Sequence, residues 1–266
     1  MNRLMDRRKT LGETLRAQGR ILFALMLRDV RTRFFGNAVG MVIVIGWPLS
    51  HIFVLLIINT AVGRAAPYGE STALWYATGL IPFMVFSYTA RLTMMGIATN
   101  KPLMGIPVVK ATDILLARAL LEVINSGVVV LATMLIFTCL GIGFVPSNIV
   151  QAYAALGANL LLGFGFGILN GVIAGMYPFW MMGFILFNIL MWAASGVIYV
   201  PDAMPENVRY WLAMNPALQG VEWMRSAYYD GYGEGVLNKS YMLIFAMASL
   251  FLGLLLERLL RGKIME

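Results

Sequence analysis

The sequence predicts an all-α polytopic membrane protein: six transmembrane helices, an N-terminal amphipathic interface helix, and outer re-entrant helices before the last span. Three observations predict this class. Hydrophobic residues fill 60% of the 266 positions and charged residues only 12%, with a mean hydropathy of +0.77; a soluble domain carries about 25% charged residues. No charged residue occurs between Glu122 and Asp202, an interval with room for three spanning helices of about 20 residues each. Finally, lysine and arginine gather in alternate inter-span segments, as they do in a chain threaded through a membrane.

The organisation divides at residue 37: a cytoplasmic basic segment over 1–37, and the six-helix domain over 38–266. The first segment holds nine of the twenty basic residues. Its lack of an early apolar core speaks against a cleavable signal peptide. Leu11, Leu15, Leu22, Met26 and Val30 fall on one helical face, with Arg16, Arg20 and Arg31 on the other. Such a helix lies in the membrane interface, with Arg16, Arg20, Arg28, Arg31 and Arg33 available to anionic headgroups. Asp29 interrupts the apolar face.

Span one is expected over Ala38 to Val62 and span two over Thr72 to Met95. A polar loop, 96–113, separates them from span three at about 114–141. Spans four and five follow at about 150–175 and 178–200. Their connections are short: Gly143 to Ser147, then Tyr177–Pro178. Spans three to five are therefore antiparallel neighbours. Span four carries Gly163, Gly167, Gly171 and Gly175, a ladder that lets helix backbones approach closely, here expected to pack within one subunit. Span six covers about 240–257 and precedes a short basic tail. The single cysteine, Cys139, sits in an apolar run and reads as a packing residue.

An even number of spans places both termini on one side. That side then carries sixteen lysines and arginines against four on the other, so both termini are expected in the cytoplasm. The +7 net charge accordingly reports orientation and does not point to nucleic acid.

Between spans five and six, residues 201–239 form a polar outer segment. It contains NPALQGVEWMRSAYYDGY, from Asn215 to Tyr232. Asn215 and Pro216 read as the cap and first turn of a helix. Glu222 and Arg225 can pair on one face of that helix. Gly231 and Gly233 allow a turn into span six. The segment is expected to fold back as short re-entrant helices forming an outer gate or an anchor. Trp211, Glu222, Trp223, Arg225, Tyr228, Tyr229 and Tyr232 are the candidate gate residues.

Much chemistry is missing from the sequence. The Gly262–Lys263 pair is followed by Ile264, and no phosphate-binding loop pattern occurs. No paired cysteines or H-E-x-x-H pattern provides a metal or catalytic centre, and the one histidine, His51, falls inside span one. Arg91, Arg118 and Glu122 lie near the cytoplasmic ends of spans two and three, and the spacing of the last two predicts a local ion pair. With no engine of its own, the chain reads as a transport subunit driven by a partner and not as an enzyme.

This arrangement resembles the ABC-2-type permeases, and within them the capsular polysaccharide export family, related to O-antigen and teichoic-acid export permeases. The resemblance covers nearly the whole chain. It rests on the length, the leading helix ending LRDVRTRFFGNAVG, the six spans, and the N-P-x-x-x-G-x-E-x-x-R block beginning at Asn215. It implies a homodimer joined to two copies of a separate ATP-binding subunit, which holds the ATP and Mg. An envelope-spanning export adaptor and an outer-membrane channel are the further partners implied, in a bacterial inner membrane. MGIATNKPLMGIPVVKATD would then be the coupling element, with Asn100, Lys101, Leu103 and Met104 at contact positions and Pro102 and Pro107 shaping the turn. A polysaccharide path would suit aromatic side chains, which meet the apolar faces of sugar rings. Trp47, Tyr177, Trp180, Trp192 and Tyr199 are the candidates, with His51 beside Trp47. The alternatives are an ABC-2 permease for a smaller substrate such as a drug, haem or lipid, and a membrane-embedded glycan or lipid enzyme or scaffold.

Overall fold

A computed structural model describes residues 11–33, 38–63, 65–104, 109–232 and 235–265. Regular structure among them is helical throughout: α1 (Leu11–Arg33), α2 (Ala38–Ala61), α3 (Thr72–Thr99), α4 (Lys101–Met104), α5 (Ala111–Cys139), α6 (Ile149–Met176), α7 (Trp180–Ala193), α8 (Glu206–Ala213), α9 (Pro216–Tyr228) and α10 (Lys239–Met265), with a 3-10 turn at Pro201–Ala203. Four of these are long and apolar enough to cross a membrane: Thr72–Ile97, Ala111–Cys139, Ile149–Met176 and Lys239–Ile264. The apolar stretches of α2 and α7, Ile45–Asn59 and Trp180–Ala193, are shorter.

Polar residues at the helix starts do what their types predict. Ser71 accepts from the Leu74 N–H at 3.2 Å, Asn148 from Gln151 at 3.0 Å, and Asn215 from Ala217 at 3.0 Å. At the start of α5, Asp113 accepts from the Lys110 backbone N–H at 3.0 Å. Each bond satisfies an N–H that the helix itself leaves free.

Helix α6 is the centre of the bundle, held between α3 and α10. Its glycines make this possible. A Cβ on Gly163 would lie 2.6 Å from the Phe86 carbonyl oxygen, and one on Gly167 2.7 Å from that of Ala90, both on α3. On the other side, a Cβ on Gly165 would lie 2.7 Å from the Leu250 nitrogen of α10. Gly175 faces Ile97 and Ile264. The ladder therefore packs within one chain, as the sequence predicts, and adds a second small-residue contact to α10 that the four-residue repeat alone did not reveal.

Three expectations need correction. The segment expected as span five, 178–200, is helical only over Trp180–Ala193. Fourteen residues rise about 21 Å, short of the about 30 Å hydrocarbon thickness. The chain then turns through Gly196, whose φ is +74°, a conformation glycine adopts at little cost. Second, the basic tail after residue 257 is a continuation of α10 and not an appendage. Third, Cys139, expected as a packing residue, is exposed at the end of α5.

Candidate functional site

Two polar regions stand out, at opposite ends of the bundle. The first lies at the end that carries the α3–α5 connection, where α1 packs across α5. Leu25, Ile114 and Ala117 form an apolar contact there, with Ile21, Leu22, Met26 and Leu103 against it. Asp29, which interrupts the apolar face of α1, is buried in this contact. Its carboxylate lies 2.7 Å from Arg118 Nε and 3.1 Å from Arg28 Nη2. Arg28 also donates to the Asn100 side chain, and Gln18 to that of Asp113. The apparent flaw in the amphipathic pattern is thus the anchor between α1 and α5. Arg118 also donates to the Thr99 hydroxyl at 3.2 Å, and Glu122, one turn further along α5, is buried.

A cavity of about 550 Å³ opens beside this anchor, between α1, α2, α3 and α5. Arg28, Arg91 and Arg118 line it together with Trp47, Tyr88 and Asn125. Arg28 and Arg118 are already tied to Asp29, but with Arg91 they leave the lining basic beside an aromatic wall, which favours an anionic or hydroxyl-rich occupant. Trp47 is 58% exposed on α2. His51 packs edge-on against it, ring centroids 5.3 Å apart, and the His51 Nδ1 lies 3.0 Å from the Trp47 carbonyl oxygen and 3.3 Å from the Tyr88 hydroxyl. Polar and amphipathic side chains on the open face of an apolar helix mark a surface that is not purely lipid-facing.

The other predicted path residues sit elsewhere. Trp180 is half-buried and donates through Nε1 to Asn170 of α6 at 2.9 Å. Trp192 is half-buried against the main core, and Tyr199 lies half-buried in the turn after α7. Tyr177 is exposed with its ring beside Phe179. Among the described residues, no ring contact joins these four to Trp47.

The coupling residues divide too. Asn100 is buried at the end of α3, donating to the Gly96 carbonyl at 2.7 Å and accepting from Arg28. Pro102 is exposed, and Leu103 packs toward α1. Lys101 and Met104 form part of α4. Pro107 lies outside the described residues. On α1, Arg16, Arg20 and Arg31 are exposed and Arg28 is half-buried; Arg33 closes the helix. Leu15, Phe23 and Leu27 are also exposed, so the outward face of α1 is mixed apolar and basic.

The second polar region is at the far end, around α9. Asn215 caps α9, and its amide nitrogen donates to the carbonyls of Met191 (3.1 Å) and Ala194 (2.9 Å) at the end of α7. Gly220 passes so close to α6 that a Cβ would lie 2.2 Å from Asn159 Oδ1. Glu222 and Arg225 are wholly buried and 3.4 Å apart. Tyr232 donates to Glu222 at 3.1 Å, and Trp223 to Gln151 at 2.8 Å. Tyr229, Tyr232, Tyr68 and Trp75 form an aromatic cluster around them, with centroids 4.9–6.2 Å apart. Tyr228 packs on Phe144. Burial pushes the Glu222 carboxyl up to about 7, against the pull of Arg225. Only Trp211 of the seven candidates is largely open, 70% exposed on α8 with Tyr210 edge-on to it. The N-P-x-x-x-G-x-E-x-x-R block is therefore an internal fastening in this chain.

Several residues of both regions carry no role in the sequence pattern: Tyr88 and Asn125 at one end, Trp75 and Gly79 at the other, while Asp29 stands out there only as an interruption of the apolar face of α1. For Tyr88 a signal existed, since it lies three residues from Arg91 on one face of α3. For Trp75 and Gly79 none did, because their partner is about 150 residues away.

No family model matches the chain. It is, however, similar along most of its length to three sets of curated proteins. It is 29% identical over 236 residues to the polysialic acid transport protein KpsM of Escherichia coli, covering 88% of this chain and 91% of that protein. It is 26% identical over 247 residues to the capsule polysaccharide export inner-membrane protein CtrC of Neisseria meningitidis serogroup B, covering 91% of each. It is 20% identical over 253 residues to the capsule polysaccharide export inner-membrane protein BexB of Haemophilus influenzae, covering 94% of each.

Proposed function

We propose that the chain is the permease subunit of an ATP-driven ABC exporter that moves capsular or related lipid-linked polysaccharide across the inner membrane. The observation that carries this reading is the end-to-end likeness to inner-membrane proteins of capsule export, 88% of this chain in the first comparison and 94% in the last. The cavity of Arg28, Arg91 and Arg118 beside Trp47 supports it. Arginines there would meet carboxylate or phosphate groups of the cargo, and the aromatics its apolar ring faces.

In this reading α2 and α7 join the four long helices as the shorter passes, and both termini are cytoplasmic by the distribution of basic residues. Two copies of the chain pair with two copies of an ATP-binding subunit, which contributes ATP and Mg. Helix α4 and its flanks couple to that subunit, with α1 beside them. An envelope-spanning adaptor and outer-membrane channel carry the polymer onward. Asn100 shapes the coupling segment from within, while Pro102 is a side chain open to a partner.

The test is to express the chain with and without its candidate ATP-binding subunit in a capsule-export-deficient strain. Stable co-purification, and surface polymer only when both chains are present, is the expected result. Polymer or glycolipid chemistry performed by the isolated chain without ATP would overturn the reading.

A further inference from the structure

A wholly buried arginine lies far from the basic cavity, and the exporter reading assigns it no task. Arg225 is wholly buried on α9. Its Nη1 donates to the Gly196 carbonyl at 2.7 Å and its Nη2 to the Val197 carbonyl at 2.8 Å. A longer Nη1 contact, 3.4 Å, reaches the Tyr199 carbonyl. The guanidinium carbon stands 3.5 Å from the centre of the Trp75 ring on α3. A Cβ on Gly79 would lie 2.7 Å from Nη2 and 3.3 Å from the Val197 backbone, so only glycine leaves room for this arrangement.

The acceptors belong to the turn where α7 stops short. A helix ending inside a bundle leaves carbonyls without partners, and lipid offers none. Asn215 takes those of Met191 and Ala194, and Arg225 takes the next group along. Both side chains come from the α9 segment. The planar fork of arginine can serve neighbouring carbonyls at once, which a lysine point charge cannot.

We propose that Arg225 is a positioning residue that pins the 196–199 turn to α9 and α3, so that the end of α7 and the α9 segment move as one body. This deepens the exporter reading and rests on it for its consequence: the pinned turn sets the orientation of Tyr199, which lies within it. The α9 segment, capped by Asn215 and carrying Arg225, is thereby an anchor and not itself the moving gate.

The experiment uses the full chain assembled with its ATP-binding subunit. Cys139→Ser removes the exposed thiol, and Val197→Cys places a reporter in the pinned turn, where the native side chain is 1% exposed. A water-soluble maleimide should label this parent slowly. Adding Arg225→Met should speed labelling by about a hundredfold, as expected for loss of a buried charged partner. Arg225→Lys should fail to restore protection, and Gly79→Ala, which keeps the charge but displaces the fork, should also raise labelling. In each variant, surface polymer should fall about tenfold or more while assembly and ATP hydrolysis by the partner persist. Unchanged labelling in Gly79→Ala and Arg225→Lys overturns the pin even if Arg225→Met fails to assemble. Faster labelling with undiminished polymer overturns the positioning role. A parent complex that assembles but exports no polymer counts against the exporter reading, and the labelling still decides the pin.

Discussion

Glu222 and Arg225 share one buried site but are held unequally. The guanidinium has two carbonyl acceptors within 2.8 Å and an aromatic face. The carboxylate has a 3.4 Å contact with the arginine and a 3.1 Å bond from Tyr232. Burial therefore outweighs the pull of the arginine, and the carboxyl is pushed up to about 7. For an acid with a raised folded pKa, the folded state holds a proton that the unfolded state has released between about 4.5 and 7. Stability contributed by this group is thus present below that window and is lost as pH rises through it, by on the order of 3 kcal/mol. We predict that the melting temperature of the purified protein falls from pH 5 to pH 8 more steeply than that of Glu222→Gln. The amide retains an acceptor for Tyr232 and does not titrate. A steeper fall in the variant would show that the carboxyl is charged throughout. At the opposite end, Asp29 stands between Arg118 and Arg28. Replacing it with alanine removes the charged contact that ties α1 to Arg118 of α5, at a cost of about 1–3 kcal/mol. The expected outcome is α1 released from α5, seen as faster tryptic cleavage at Arg16 and Arg20 while the transmembrane fragment stays intact.

At the scale of the element, α6 demonstrates how far a spacing pattern can be read. The four-residue glycine repeat points to close backbone contact, and the helix meets α3 carbonyls at Gly163 and Gly167. Gly167→Ala should destabilise by about 1–3 kcal/mol, because its Cβ would lie 2.6 Å from Thr93 Cβ and 2.7 Å from the Ala90 oxygen. Gly157→Ala, in the same helix with nothing within 4 Å of the added carbon, should be neutral or gain up to about 1 kcal/mol. Thermal unfolding in detergent separates the two, and equal destabilisation would refute the packing account. Helix α7 gives the contrary case. The stretch through Val200 is mostly apolar and carries no proline or charge, yet the helix ends at Ala193. The reason lies in Asn215 and Arg225, whose side chains offer partners to the carbonyls a longer helix would have used. Gly196, at φ +74°, is a local sign of the turn, but the side chains that satisfy its carbonyls lie more than twenty residues later, where no local pattern points to them.

Across the whole molecule, the class of protein and the order of its elements were legible because lipid demands long apolar helices and those dominate composition. The polar sites were legible only as residue types. Trp47 and Trp192 looked equivalent as path residues, since both are aromatic and deep in apolar stretches. The fold separates them: Trp47 is 58% exposed beside the basic cavity, whereas Trp192 is half-buried against the main core. Periodicity could not tell the two apart, because the open face of α2 and the covered face of α7 are equally apolar. Their alanine variants should therefore part company. Trp47→Ala removes a side chain with few neighbours, so melting temperature and assembly with the ATP-binding subunit should change little, by less than about 1 kcal/mol. Surface polymer should nevertheless drop severalfold, because the wall beside Arg91 loses its ring. Trp192→Ala uncovers the part of the core it packs against and should cost about 1–3 kcal/mol, with polymer falling in step with the amount of folded protein. Quantifying polymer per assembled complex separates the mechanisms: a normal ratio for Trp47→Ala would remove the α2 wall from the path.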